Sequence, residues 1–255
     1  MSDQMIFPPV QDPAVLSELG ALAARHKAAS GLGMQVLGWV GGNAETLLER
    51  LPAAVKDRLE AVTRTALENA FSAAARSRGV VSDRPDWLNT AVTTAMGAAG
   101  GLGGLPGAMA ELPVTVTVLL RAIQGIAAEH GFDPADEEIR MECIRVFASA
   151  GPMAADDGTD LAFVSARMTL TGHSVQGLIA KVAPRLAGVL GQKLAAQAAP
   201  VLGAVAGAAI NYSFTSYYQE IARVHFGLKR LAQTAKLDEG FLREELRARI
   251  APRKK

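Results

Sequence analysis

Residues 86–134, DWLNTAVTTAMGAAGGLGGLPGAMAELPVTVTVLLRAIQGIAAEHGFDP, decide the fold. No charged residue occurs between Asp86 and Glu111, and Gly97, Gly100, Gly101, Gly103, Gly104 and Gly107 crowd the middle of that run. Glu111 marks its edge, followed at once by Leu112-Pro113. Val116, Leu119, Leu120, Ile123 and Ile126 then recur at helical spacing, and His130-Gly131 closes the segment with glycine at the C-cap. The alternating VTVTV of 114–118, flanked by proline and a helical pattern, reads as helix. Glycine costs about 1 kcal/mol relative to alanine inside a helix. Residues 100–107 are therefore expected to break the helix that starts near Trp87, and Pro113 to start a new one.

The same reading extends in both directions. Residues 1–12 form an irregular arm, and Val15, Leu16, Leu19, Leu22 and Ala23 predict a helix from Pro13 to about Lys27. Gly31–Gly42 is apolar and glycine-broken, a short helix or buried loop anchored by Trp39. Pro52 opens an amphipathic helix with Val55, Leu59, Val62, Ala66 and Ala70 inside, ending near Arg78-Gly79 before a polar link at Ser82–Asp86. Asp133-Pro134 predicts an N-cap and first turn, with Ile139, Cys143, Val146 and Phe147 on the core face. Gly151–Asp160 is a loop; Leu161–Leu170 and Ser174–Val182 are short helical patterns. Pro184 and Pro200 are expected to divide an alanine-rich run, and Leu194–Gln219 is a second long stretch without charge. A last helix covers about Gln219–Leu237, and Gly240 precedes a short basic tail. The expected fold is all-α: one helical domain over 13–238 with two Gly/Ala-rich apolar hairpins packed together, and a short helix and tail over 239–255.

Composition bounds the function. The 255 residues are 49% hydrophobic and 20% charged, with a net charge of +1, so the chain folds and carries no global field for nucleic acid. Cys143 is alone, which excludes an internal disulfide and suits a reducing compartment. The N-terminus MSDQMIFPPVQDP has no secretory h-region.

The segment MAELPVTVTVLLRAIQGIAAEHGFDP, with EEIRMECIRVF after it and PVLGAVAGAAINYSFT further on, resembles the EcsC protein family over about residues 50–230. Members carry a glycine-rich apolar stretch, an acidic-apolar-Pro step (here Glu111-Leu112-Pro113) and a helix ending in an aromatic or His-Gly-aromatic-Asp element (His130-Gly131-Phe132-Asp133). Glu111 replaces the more usual Asp, and His130 stands where Tyr is common. The family takes its name from a protein encoded beside an ABC transporter. The resemblance implies a bacterial cytoplasmic protein, free or peripheral to the inner membrane, with transporter subunits as partners. It assigns no active site.

Catalytic and metal chemistry find little support in the residues. The glycine cluster lacks a preceding strand and a G-K-[ST], so it is no nucleotide cradle. His26, His130, His173 and His225 lack metal-ligand spacing, and Asp156, Asp157 and Asp160 lack the EF-hand pattern. Ser165 and Ser174 lack the G-x-S-x-G setting. No metal and no cofactor are expected. Gly97/Gly101, Gly100/Gly104, Gly103/Gly107 and Gly203/Gly207 have the spacing of close helix contacts.

Residues 87–110 and 194–219 have the length of a membrane span, but their glycines, threonines and amides largely cancel an apolar gain of roughly 3 kcal/mol. Reversible membrane association fits them better. Glu111 has two open readings. One is a buried carboxylate of raised pKa; the other is a carboxylate stabilised by the helix begun at Pro113 and paired with Arg121 or Arg140. The aromatic group Tyr212, Phe214, Tyr217 and Tyr218, with Trp87, is either interfacial anchor or core. Arg247, Arg249, Arg253, Lys254 and Lys255 can touch anionic lipid. Glu111, Pro113, Arg121, Gly203, Gly207, Asn211 and Tyr212 are thus the candidate lipid or ligand contacts. The functional expectation is a non-enzymatic, membrane-associated helical protein. The alternatives are a soluble carrier of an apolar ligand and, more weakly, a hydrolase using Glu111.

Overall fold

A computed structural model describes residues 11–40, 48–77, 86–102, 104–148, 151, 175–197 and 203–251. The expected arm at 1–10, the link at 82–85, the stretch 152–174 with its loop, short helix, serines and aspartates, Pro200 and the tail at 253–255 lie outside the described residues. So do the side chains of Trp39 and Trp87.

The described chain is all-α: α1 (Pro13–Val40), α2 (Ala53–Ser77), α3 (Asp86–Leu102), α4 (Gly104–Glu129), α5 (Glu137–Phe147), α6 (Val175–Gln197), α7 (Gly203–Ala235) and α8 (Glu239–Ile250). Four helices outrun the sequence expectation. α1 continues past Lys27 to Val40, since glycine biases against helix without blocking it and no proline follows Pro13 within it. α4 begins at Gly104 and runs through Pro113, and α6 runs through Pro184. Both prolines sit on exposed faces, where solvent can take the carbonyl that each proline leaves without its helical donor. The apolar stretch 203–219 and the expected last helix form one 33-residue helix, α7.

Caps define the other ends. Asp12 accepts the Ala14 N–H at 2.8 Å and opens α1. Asp136, not Asp133, caps α5 by accepting the Glu138 N–H at 2.9 Å; Asp133 instead closes a turn onto Ala135. Gly131 has φ 86°, the left-handed conformation that ends α4.

Two clusters of side chains hold the helices together. The larger surrounds α4, with Leu119, Ile123 and Ile126 fully buried against Phe147, Tyr217 and Tyr218. Tyr218 meets the edge of Phe147 at 4.9 Å between centroids, so these aromatics are core. The smaller joins α1, the C-terminal half of α7 and α8 through Leu19, Leu22, Val224, Leu228, Leu242 and Leu246. Among the described helices, α3 and α7 make the most extensive contact. Gly97 permits it: a Cβ there would collide with the Gly207 carbonyl oxygen. Gly107 does the same for α3 on α4, where a Cβ would lie 3.0 Å from the Gly100 carbonyl. The two uncharged stretches are thus packed on each other with backbones nearly touching.

Candidate functional site

Four helices converge on Glu111. It lies about two turns inside α4, with its side chain turned away from solvent between α3, α6 and α7. Its Oε1 accepts from Lys193 Nζ on α6 at 2.5 Å and from Asn211 Nδ2 on α7 at 2.9 Å. Thr115 Oγ1 donates to the same oxygen at 3.2 Å, one turn along α4, and Gln197 Nε2 approaches to 3.5 Å. Gln197 also accepts from Lys193 at 3.0 Å. Asn211 Nδ2 donates a second time, to the Thr93 carbonyl at 2.6 Å, while the Thr93 and Thr215 hydroxyls pair at 2.7 Å. This threads α3 into the knot. Glu111 Oε2 packs against Gly100, where any Cβ would collide with it.

The pair is closed to water: side-chain exposure is 0% for Lys193 and 5% for Glu111. Burial by itself pushes the Glu111 carboxyl up, but the Lys193 charge and the hydrogen bonds from Lys193, Asn211 and Gln197 outweigh it and hold the group below the usual carboxylate range. Burial pulls the Lys193 ammonium down, and Glu111 opposes that pull. Neither Glu111 Oε2 nor Asn211 Oδ1 accepts a hydrogen bond from a described residue. A buried pair with unfilled acceptors adds little net stability.

The expected burial of Glu111 and its pairing with a cation are observed, while the raised pKa, the helix-start position and the named partners are corrected. Its pKa is lowered, and it sits in the helix interior rather than at a helix start, so its stabilisation comes from a counter-ion and not from a dipole. Neither expected partner pairs with it. Arg140 lies 3.7 Å over the Phe71 ring, and Arg121 is about 15 Å further along α4 at the helical rise. Of the other candidates, Asn211 joins Glu111 and Gly207 packs on Gly97. Pro113 and Tyr212 face solvent, and Gly203 begins α7. Lys193, Gln197, Thr93, Thr115 and Thr215 are the members that sequence reasoning missed. Lys193 had a visible signal: it is the only charged residue from Leu186 to Gln219, at the edge of the second uncharged stretch as Glu111 is at the edge of the first.

A second ionic cluster joins α5 to α7. Glu142 accepts from His225 Nε2 at 3.0 Å and from Lys229 Nζ at 2.7 Å. Burial raises the Glu142 carboxyl, but these two donors bring it down to about 2. Among the described residues no group of three or more His, Cys, Asp or Glu is placed to hold a metal ion.

Among the described side chains, the exposed residues of α3, the first half of α4 and the first half of α7 are uncharged. α3 presents Ala91, Ala95 and Ala99, α4 presents Pro106, Ala110, Pro113 and Val114, and α7 presents Val205 and Tyr212. Val205 is 76% exposed, Val114 50% and Tyr212 44%. α4 is also the one described helix long and apolar enough to cross a membrane, over Leu105–Glu129, where an 18-residue window has mean hydropathy 1.3 and is 56% buried. The two stretches noted in the sequence do not form single spans: α3 has 17 residues, and 194–219 is divided between α6 and α7.

No curated protein and no solved structure matches the chain. The family does: residues 43–231, from before α2 to well along α7, match as EcsC protein family. The Glu111–Lys193 knot and the uncharged surface above it fall wholly inside that match, and this chain belongs to the EcsC family.

Proposed function

We propose that the protein is non-enzymatic and associates peripherally with a lipid bilayer, docking through the uncharged face of α3, the first half of α4 and the first half of α7. One observation carries this reading. After Asp86 at the start of α3, the one charged residue across α3, the first half of α4 and the first half of α7 is Glu111, which is turned inward onto Lys193, leaving alanine, proline, valine and tyrosine outside. Large uncharged faces of this kind mark interaction surfaces. Tyr212 suits the interface, with an apolar ring and a polar tip. Glu111 Oε1 is occupied by an ammonium, two amides and a hydroxyl, the setting of a structural acceptor rather than a proton-transfer group. Its role is to lock the Gly/Ala hairpins in register, so that docking does not require a charge to enter lipid, which is costly. The transporter subunits implied by the family resemblance are partners this protein would meet at the same membrane.

Co-sedimentation with vesicles of phosphatidylglycerol and phosphatidylcholine tests the reading. Ala95→Glu and Val205→Glu add charge at exposed positions and leave the core intact. The parent should pellet with vesicles and each variant should bind about tenfold less, since a charge at the bilayer boundary costs over 1 kcal/mol. A parent that stays in the supernatant, or variants that bind like it, contradict the proposal. A stoichiometric lipid retained through purification would favour the carrier instead.

A further inference from the structure

The other half of α7 faces α1, antiparallel to it, with Arg25 meeting Glu220 and Leu22 meeting Gly227. Between them runs an open groove of about 590 Å³, within the range of small-molecule sites. Gly227 opens its floor: a Cβ there would lie 2.9 Å from Leu22 Cδ2 and 3.8 Å from His130 Nε2. Val15, Leu22 and Leu231 supply apolar lining.

One end is cationic by construction. The Glu220 carboxylate holds two guanidiniums side by side, Arg25 at 2.6 Å and Arg223 at 2.5 Å. Arg230, two turns further on the exposed face of α7, lines the same groove. His130 Nδ1 donates to the Ile126 carbonyl at 2.8 Å, which turns Nε2 toward Gly227. Guanidinium forks match phosphate oxygens two at a time, and three of them suit a dianion. Asp12 and Glu18 also line the groove, Glu18 level with Arg230 in the antiparallel register, and these carboxylates oppose a second anionic group.

We propose that this groove binds a small soluble phosphate monoester, its phosphate among Arg25, Arg223 and Arg230 and its apolar body on Val15, Leu22 and Leu231. α1 lies outside the family-matched residues, whereas Arg223, Gly227 and Arg230 lie within them. The preference for a soluble ester over a lipid headgroup rests on the docking surface above; the groove itself does not. Gly227 is about 22 Å along α7 from Tyr212 and about 33 Å from Val205, so the groove is not part of the docking face itself.

Isothermal titration calorimetry with hexyl phosphate, inorganic phosphate and hexanol tests the site directly. Hexyl phosphate should bind once per chain, more tightly than inorganic phosphate, and hexanol should give no saturable heat. Arg223→Gln and Arg230→Gln should each weaken hexyl phosphate about tenfold or more, and Arg223→Lys should recover only part of the loss. Arg230 is exposed, so Arg230→Gln decides the matter even where Arg223→Gln disturbs the fold. Absence of saturable binding, or unchanged affinity in Arg230→Gln, overturns the proposal. Loss of phosphatidylglycerol vesicle binding in Arg230→Gln with no hexyl phosphate binding in the parent would also overturn it, assigning the groove to lipid. Failure of the docking surface alone would leave the hexyl phosphate result standing.

Discussion

Removing either member of the Glu111–Lys193 pair strands the other in a dry site, and removing both does not. Glu111→Met leaves the Lys193 ammonium, 0% exposed, with Gln197 Oε1 at 3.0 Å as its remaining acceptor of those in the knot. Lys193→Met leaves the carboxylate with Asn211, Thr115 and the distant Gln197 amide. Breaking a buried pair one-sidedly costs about 3–5 kcal/mol. If the two losses were independent they would sum to roughly 6–10 kcal/mol, as much as the whole stability of many domains. The double variant should instead lie within about 2 kcal/mol of the parent, because apolar replacement of a buried pair is often neutral or stabilising. Methionine is unbranched and spares Gly100, and Asn211 Nδ2 keeps the Thr93 carbonyl at 2.6 Å. Glu111→Gln, which retains shape and an acceptor, should cost less than Glu111→Met but more than the double variant. Guanidinium unfolding followed by far-UV circular dichroism at pH 7 measures all four chains. Single variants costing under about 1 kcal/mol, or a double variant as unstable as the sum of the singles, would refute the argument, since coupled neighbours must depart from additivity.

Gly97→Ala should destabilise by about 1–3 kcal/mol, because its methyl would collide with the Gly207 carbonyl oxygen. Gly125→Ala, with nothing within 4 Å of a built Cβ, should stabilise by about 0.5–1 kcal/mol, and thermal melts of the two together check the contact. For Glu142 the folded value of about 2 lies below the model-compound 4.5. Its contribution, about 3 kcal/mol, is therefore fully present above pH 4.5 and is lost as pH falls through about 2. Urea midpoints between pH 5 and 2 should fall less steeply in Glu142→Gln than in the parent; parallel slopes would show that Glu142 does not carry the acid sensitivity.

Much of this molecule is legible in its sequence where the signal is a pattern, and hidden where it is a partner. The 3.6-residue recurrence of Val116, Leu119, Leu120, Ile123 and Ile126 places the core face of α4, and glycines four apart announce close helix contact. Boundaries are less legible. Pro113 and Pro184 read as helix starts or breaks because local rules price the lost N–H without knowing that the proline faces solvent. Glu111 stands out by its place at the edge of an uncharged run, but its partner is 82 residues away on another helix, and no local spacing links them. Arg121 and Arg140 were nearer in sequence and wrong in space. The rule that found Glu111, a lone charge bordering an uncharged stretch, finds Lys193 as well once applied to the second stretch.

The account stands or falls on which face meets lipid. Cys143 is fully buried, so a single introduced cysteine carries an environment-sensitive fluorophore selectively. Labels at Ala95→Cys on α3, Tyr212→Cys on α7 and Glu244→Cys on α8, whose parent side chain is 70% exposed, report on three surfaces. With phosphatidylglycerol-containing vesicles, the first two emissions should shift to the blue and the third should not move. Unshifted emission at Ala95 and Tyr212, or a shift at Glu244 alone, would contradict the uncharged face as the docking surface.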